Sequence, residues 1–401
     1  MKKILLTFVC LFSLLTGMAQ TVLYSTGDAT GFPYRIPAIA KAPNGDLLAF
    51  TDWRPCGRDI GFGKVDIMVR ISSDNGKSWG EPLKVLEGSG QGADAGFGDA
   101  CVVADRQKNE LLLVCVAGDV VYFQSTPEKR QRMVSLHARY NRKTQAWEWD
   151  KEVQDLSSLM YDDLLHGTIK GLFMGSGRIC QSRQVKVGDY YRLYASLCTL
   201  EGNFVVYSDD FGRTWGLLGD YRMSCAPKGD EPKCEELPDG SVLLSSRKDG
   251  GRYFNVFRYY DVKRGKGMWG QPVDSREVPG GISNAGTPCN GEILMVPARR
   301  VADGKGVTLA LQSIPAGPKR SNVTIYFKEL TTPDTYATPM AFAADWNGEY
   351  QVSKVGSGYS TMIQQADGRL AFYYEEEPQW YQMIYKSLDL KEITHGKYEA
   401  K

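Results

Sequence analysis

Chemistry in this chain falls to acidic, basic and phenolic side chains rather than to imidazole or thiolate. Only three histidines occur, His137, His166 and His395, and none stands at a metal-ligand spacing. Zinc hydrolysis and histidine-based triads are therefore disfavoured. No CxxC pair occurs among the cysteines. Carboxylates are better placed. Asp52, Asp59 and Asp66 fall within fifteen residues of one another, Asp99 follows Gly98, and Asp230, Glu231, Glu235 and Glu236 crowd one segment, as Glu375 to Glu377 crowd another. Arginine offers a planar fork that pairs bidentately with carboxylate and stays charged at any working pH. Arg35 opens the run Tyr34-Arg35-Ile36-Pro37, just ahead of the strand-like Asp46-Leu47-Leu48-Ala49-Phe50. A Gly-x-Gly stretch, Gly175-Ser176-Gly177, precedes no helical pattern, so it does not read as a phosphate cradle.

The elements that must hold these groups are strands. The pattern Ser-x-Asp-x-Gly-x-x-Trp occurs twice, as Ser72, Asp74, Gly76, Trp79 and as Ser208, Asp210, Gly212, Trp215. Each copy follows an alternating apolar run, which predicts a strand, a polar turn and a Trp returning to the core. The Asp can accept from turn N–H groups and the Gly can take positive φ. Trp79, Trp147, Trp215, Trp269 and Trp346 recur 54 to 77 residues apart, and Asp261 and Ala343-Ala344-Asp345 resemble worn copies of the same turn. Repeated four-stranded units predict a β-propeller. At roughly 40–65 residues per blade, the chain accommodates six blades of antiparallel sheet, in an all-β fold with no separate lectin domain.

Residues 1–19 read as a secretory signal: Lys2 and Lys3, an apolar run from Ile4 to Leu15, then small residues up to Ala19. The apolar run is short for a membrane span, and Cys10 lacks the small preceding residue of a lipoprotein signal. Residues 20–401 then form one propeller domain. The product is expected in the periplasm, at the cell surface or in the medium of a bacterium, without stable membrane insertion. An oxidising compartment permits disulfides, and Cys225 with Cys234 is one possible pair; buried free thiols are the alternative. A net charge of +1 gives no bulk electrostatic case for nucleic acid.

The repeated turn is the Asp box, and the chain resembles the bacterial sialidases of glycoside hydrolase family 33. The resemblance rests on Arg35-Ile36-Pro37, on Thr51-Asp52-Trp53-Arg54 followed by Asp59-Ile60-Gly61-Phe62-Gly63, on Asp66-Ile67 leading into the first Asp box, and on the run from Glu236 to Arg247. It implies exo-α-sialidase activity with retention of configuration, on sialylated glycoproteins, glycolipids or oligosaccharides, with no metal or other cofactor. By motif, Arg35, Arg247 and Arg320 match the triad that binds the sialic acid carboxylate, and Glu375 the glutamate that braces the first arginine. Tyr359, in Gly358-Tyr359-Ser360, matches the nucleophile, and Glu231 the base that takes its proton, with Asp230, Glu235 and Glu236 as competitors. A phenol avoids the repulsion that an anionic nucleophile meets at a carbon bearing a carboxylate. Asp59 matches the acid/base, with Asp52 and Asp66 as alternatives, and Arg54 with Asp99 the pair that holds the O4 hydroxyl. Phe97 and residues 173–177 are candidates for an apolar N-acetyl pocket. Two other readings share parts of this pattern: a trans-sialidase, including the intramolecular kind, and a non-catalytic Asp-box propeller that binds glycans.

Overall fold

The computed structural model describes residues 20–27, 33–227, 230–377 and 381–401. The expected leader, residues 1–19, lies outside the described residues. Six antiparallel sheets, built in chain order, form a six-bladed propeller. The first blade comprises Tyr34–Lys41, Leu47–Trp53, Asp66–Ser72 and Leu83–Leu86; the fourth comprises Pro232–Glu236, Val242–Lys248, Gly251–Asp261 and Lys266–Trp269. In the last blade only Ser357–Gln364, Leu370–Glu376 and Gln382–Leu388 come from the C-terminal side. The fourth strand is Thr21–Tyr24, which pairs antiparallel with Gln382–Leu388. Strand from one end of the chain thus closes the ring made by the other, and the outer edge of that blade is taken by Thr21–Tyr24. Tyr398–Ala400 instead adds to Ile293–Arg300 of the fifth blade.

The blades pack face to face, so their inner strands are covered on both sides: Leu47, Leu48, Ala49 and Phe50 are all fully buried in the first blade. Both Asp boxes fold identically. Ser72 Oγ donates to Asp74 Oδ1 at 2.8 Å and accepts from the Gly76 N–H at 2.8 Å, while Asp74 takes the Ser78 N–H at 2.8 Å. Ser208, Asp210, Gly212 and Thr214 repeat these contacts at 2.9, 2.8 and 2.8 Å. Gly76 and Gly212 sit at φ of 85° and 84°, where a Cβ is disfavoured. Hydrogen bonds to the charged form hold the Asp74 carboxyl down at about 2.

Each of the five spaced tryptophans lies at the start of, or within, the outermost strand of a successive blade, from Trp79 before Leu83–Leu86 to Trp346 before Gly348–Gln351. The outer strand of the sixth blade, Thr21–Tyr24, comes from the N-terminal end and carries no Trp. The turn before Trp346 departs from the worn Asp box of the sequence reading. A short helix, Pro339–Ala343, capped by Thr338, fills that connection, and the Trp346 indole N–H donates to Phe342 O at 3.0 Å.

No disulfide forms among the described residues. Cys225 and Cys234 are buried free thiols in one apolar cluster with Cys180, so the possible pair of the sequence reading gives way to its alternative.

Candidate active site

The Asp-box turns join third to fourth strands and lie at one end of the blades. The residues singled out above lie at the other, where inner strands begin and second strands end. Three inner strands carry a register shift at that end: between Arg35 and Ala38, between Gly98 and Cys101, and between Ser357 and Ser360. Such bulges re-aim side chains, and these flank Arg35, Asp99 and Tyr359. Ile36 and Asp99 take φ of 64° and 56°. A β-branched residue there is strained and must be held by its surroundings. The Ile36 N–H is held by Glu375 Oε1 at 2.9 Å.

Glu375 is fully buried. It accepts Arg35 Nε at 2.7 Å and Nη2 at 3.4 Å, and its other oxygen takes the Tyr359 N–H at 3.0 Å. Its neighbours turn elsewhere: Glu376 accepts from Tyr374 Oη and Gln20. Burial works against the charge of Arg35, and Glu375 more than restores it.

Tyr359 is buried, and its hydroxyl donates to Glu231 Oε1. Glu231 Oε2 accepts Arg247 Nη1 at 2.6 Å, and the same nitrogen lies 3.3 Å from Tyr359 Oη. The guanidinium carbons of Arg35 and Arg320 lie 5.6 and 5.4 Å from the Tyr359 ring centre. The three arginines therefore converge on one tyrosine. Burial pushes the Tyr359 phenol well above its ordinary range, reinforced by the Glu231 charge and opposed by Arg247 and Arg320. Among the competitors of Glu231, Glu235 pairs with Arg178 and Arg183, and Glu236 takes Ser182 and the Arg183 N–H. Asp230 stays close, with Oδ2 3.1 Å from Arg247 Nε.

A second cluster adjoins the first, because Asp52 pairs in register with Arg35. Asp52 is fully buried, receives Arg54 Nη2 at 2.8 Å and accepts the Asp99 N–H at 3.1 Å. Arg54 also binds Asp59 and lies 3.5 Å from Asp99. Burial raises Asp52 to about 6, against the pull of Arg54, and raises Asp99 well above the usual carboxylate range, aided by Asp52. Asp59 is the exposed member, its side chain 68% accessible. Asp66 does not join. It is buried against Lys84 at 3.0 Å and the Gly88 N–H at 2.8 Å, holding the outer strand. Beside this cluster Ile60, Phe173 and Cys198 pack with Tyr122 into an apolar patch. Phe97 is core between the first two blades. In the Gly-x-Gly stretch, Gly175 has no room for a Cβ beside Pro232 O, so these glycines serve close packing.

Sequence reasoning missed the anchoring part of Asp52, which it weighed only as an alternative acid, and passed over Cys289, whose side chain packs with Ile36 and Tyr359. Cys289 carries no local signal, and Asp52, although inside the Thr51–Arg54 motif, is not told apart from the acid candidates by spacing.

No family profile matches the chain. Among curated proteins it is similar to a sialidase of Micromonospora viridifaciens, 29% identical over 360 residues covering 86% of this chain and 50% of that protein. It is also similar to a sialidase of Paraclostridium sordellii, 25% identical over 382 residues covering 89% of this chain and 85% of that one. The chain spans about half the length of the first relative. Among solved structures, the Hadza microbial sialidase Hz136 superposes with a TM-score of 0.68 at 20% identity, covering 90% of this chain and 66% of that one, which establishes the shared fold.

Proposed function

We propose that this chain, a six-bladed propeller of the sialidase type, is an exo-α-sialidase that releases terminal sialic acid from glycoconjugates with retention of configuration. The observation that carries the reading is a buried phenol hydrogen-bonded to a carboxylate and ringed by three guanidinium groups. Three arginines at one point call for an anion, and a sugar that bears a carboxylate on its anomeric carbon calls for a neutral nucleophile. A phenol held protonated by burial is such a group.

In this mechanism Arg35, Arg247 and Arg320 bind the C1 carboxylate, with Arg35 braced by Glu375. Arg54 and Asp99 face the O4 hydroxyl, with Asp52 as their buried anchor. The patch of Ile60, Phe173, Cys198 and Tyr122 receives the N-acetyl methyl group. Tyr359 Oη attacks C2 as its proton passes to Glu231, and Asp59, leaving Arg54, protonates the departing glycoside oxygen. Water, deprotonated by Asp59, then attacks C2; the tyrosyl bond breaks, and the phenol regains its proton from Glu231. Two displacements at one carbon leave the α anomer. No metal or organic cofactor enters these steps.

Residues 1–19 act as an export leader and residues 20–401 as one catalytic domain in this reading, with sialylated glycans met outside the cytoplasm. Among the described residues no helix is long and apolar enough to cross a membrane.

Hydrolysis of a fluorogenic aryl sialoside tests the proposal, with proton NMR of the early product. Free α-sialic acid is expected. No turnover of any sialoside would sink the enzymatic reading in favour of glycan binding alone. Transfer to an added acceptor, or an anhydro product, would replace hydrolysis by trans-sialidase chemistry.

A further inference from the structure

Arg252 is among the largest fully buried side chains of the protein, and it has no carboxylate within ion-pair distance among the described residues. Arg192, buried equally well, is paired with Asp209. A buried cation without a partner is costly unless its donors are satisfied and its charge is useful. Burial pulls the Arg252 guanidinium down to about 10, and the charges acting on it are Glu231 and Asp230 in its favour and Arg247 against. A methionine of similar length would fill the space without that cost.

Its contacts lead to the site. Arg252 stands opposite Arg247 in the register of the fourth blade. Nε donates to Ser245 Oγ at 3.0 Å, Nη2 to Ser245 O at 2.9 Å and Nη1 to Cys289 O at 3.4 Å. Ser245 Oγ in turn donates to Gln312 of the fifth blade at 2.6 Å. Cys289, whose carbonyl the guanidinium holds, packs its side chain on Tyr359 and Ile36. One fork therefore ties the strand that carries Arg247 to the segment that supports the phenol; Arg320 also reaches that segment, at Pro288 O, but does not join it to the Arg247 strand.

Resting on the sialidase reading, we propose that Arg252 is a positioning residue of the active centre, a further guanidinium that never meets substrate but fixes Cys289 beneath Tyr359 and so sets the Tyr359–Glu231 contact. Removing it should disturb the nucleophile while leaving the carboxylate clamp in place.

The test compares wild type with Arg252→Met and Arg252→Lys. Kinetics on an aryl sialoside are combined with NMR of [13Cζ]tyrosine-labelled protein, the Tyr359 signal being assigned with Tyr359→Phe. Arg252→Met is expected to lower kcat about a hundredfold, the scale of a small misplacement of reacting groups, with KM within about threefold of wild type and a displaced Tyr359 signal. Arg252→Lys, which keeps a donor and the charge, should restore kcat to within about tenfold. An unmoved Tyr359 signal in folded Arg252→Met would overturn the proposal, as would an effect confined to KM. Failure of both variants to fold would assign Arg252 to the scaffold and overturn it as well. If wild type turns over no sialoside, the sialidase reading fails, and the Tyr359 signal alone decides the part played by Arg252.

Discussion

Glu375 reaches Tyr359 through the main chain: one carboxylate oxygen accepts the Tyr359 N–H at 3.0 Å while the other holds Arg35 at 2.7 Å. The proposed anion clamp and the proposed nucleophile are thus registered against one buried carboxylate. In Glu375→Gln the amide NH2 must face one of these N–H donors, leaving an unmet contact and an unbraced guanidinium. Stability is expected to fall by about 3 kcal/mol, with kcat and KM both impaired. Urea melts and steady-state kinetics check this; a loss in KM alone would mean that Tyr359 is placed independently of Glu375.

Arg247→Lys keeps the charge but loses the fork that spans Glu231, Tyr359 and Asp230. We expect kcat/KM to drop by about 10²–10³-fold. Unchanged catalytic efficiency would remove Arg247 from the carboxylate clamp.

Asp59 is exposed and touches only Arg54 by ion pairing. Asp59→Ala should therefore fold normally. Its loss should depend on the leaving group: severe on natural sialosides, mild on an activated aryl sialoside that needs little protonation. Equal losses on both substrates would exclude an acid/base part.

A sialic acid fluorinated at C3 slows the second displacement and should leave added mass on the peptide that contains Tyr359. Tyr359→Phe should abolish the adduct. Mapping of the label to another residue, or release of the β anomer first, would reject Tyr359 as nucleophile.

The Asp boxes give a pH test of the scaffold. Asp74 is held at about 2 in the fold, against roughly 3.9 in an unfolded chain. A depressed carboxyl contributes stability above its unfolded pKa and loses it as pH falls toward the folded value. Wild type should weaken between about pH 4 and pH 2. Asp74→Asn should lose about 1 kcal/mol at neutral pH and show a shallower acid dependence, read from urea midpoints across that range.

Much of this architecture was legible in residue order. The two Asp boxes and the recurring Trp announce turns and core anchors made by residues close in sequence, so they survive as short patterns. Arg35, Arg54, Asp59 and Arg247 lie in or beside strand runs whose motifs are contiguous, and the structure brings them to one end. What stayed hidden is which partners the polar residues inside strands take. Asp52 is turned back onto Arg54 two residues on, and Arg252 reaches across to Cys289 O, and neither contact follows from residue order. The helix that replaces the turn before Trp346 was also unreadable, because Thr338 and Pro339 act as cap and first turn only once the preceding strand ends.

The closure of the last blade by Thr21–Tyr24 has a consequence for how the protein fails. Arg35 belongs to the first blade and Glu375 and Tyr359 to the sixth, 340 residues from Arg35 in the case of Glu375. In the proposed mechanism the reacting groups straddle the seam of the ring. A chain still emerging from synthesis would hold Arg35 without Tyr359 until its final blade docks, so no partly folded form is expected to be active. Parting of the first and sixth blades would divide Arg35 from Tyr359 and Glu375 while the other four blades still stand, so inactivation ahead of global melting is the expected mark of an opened seam.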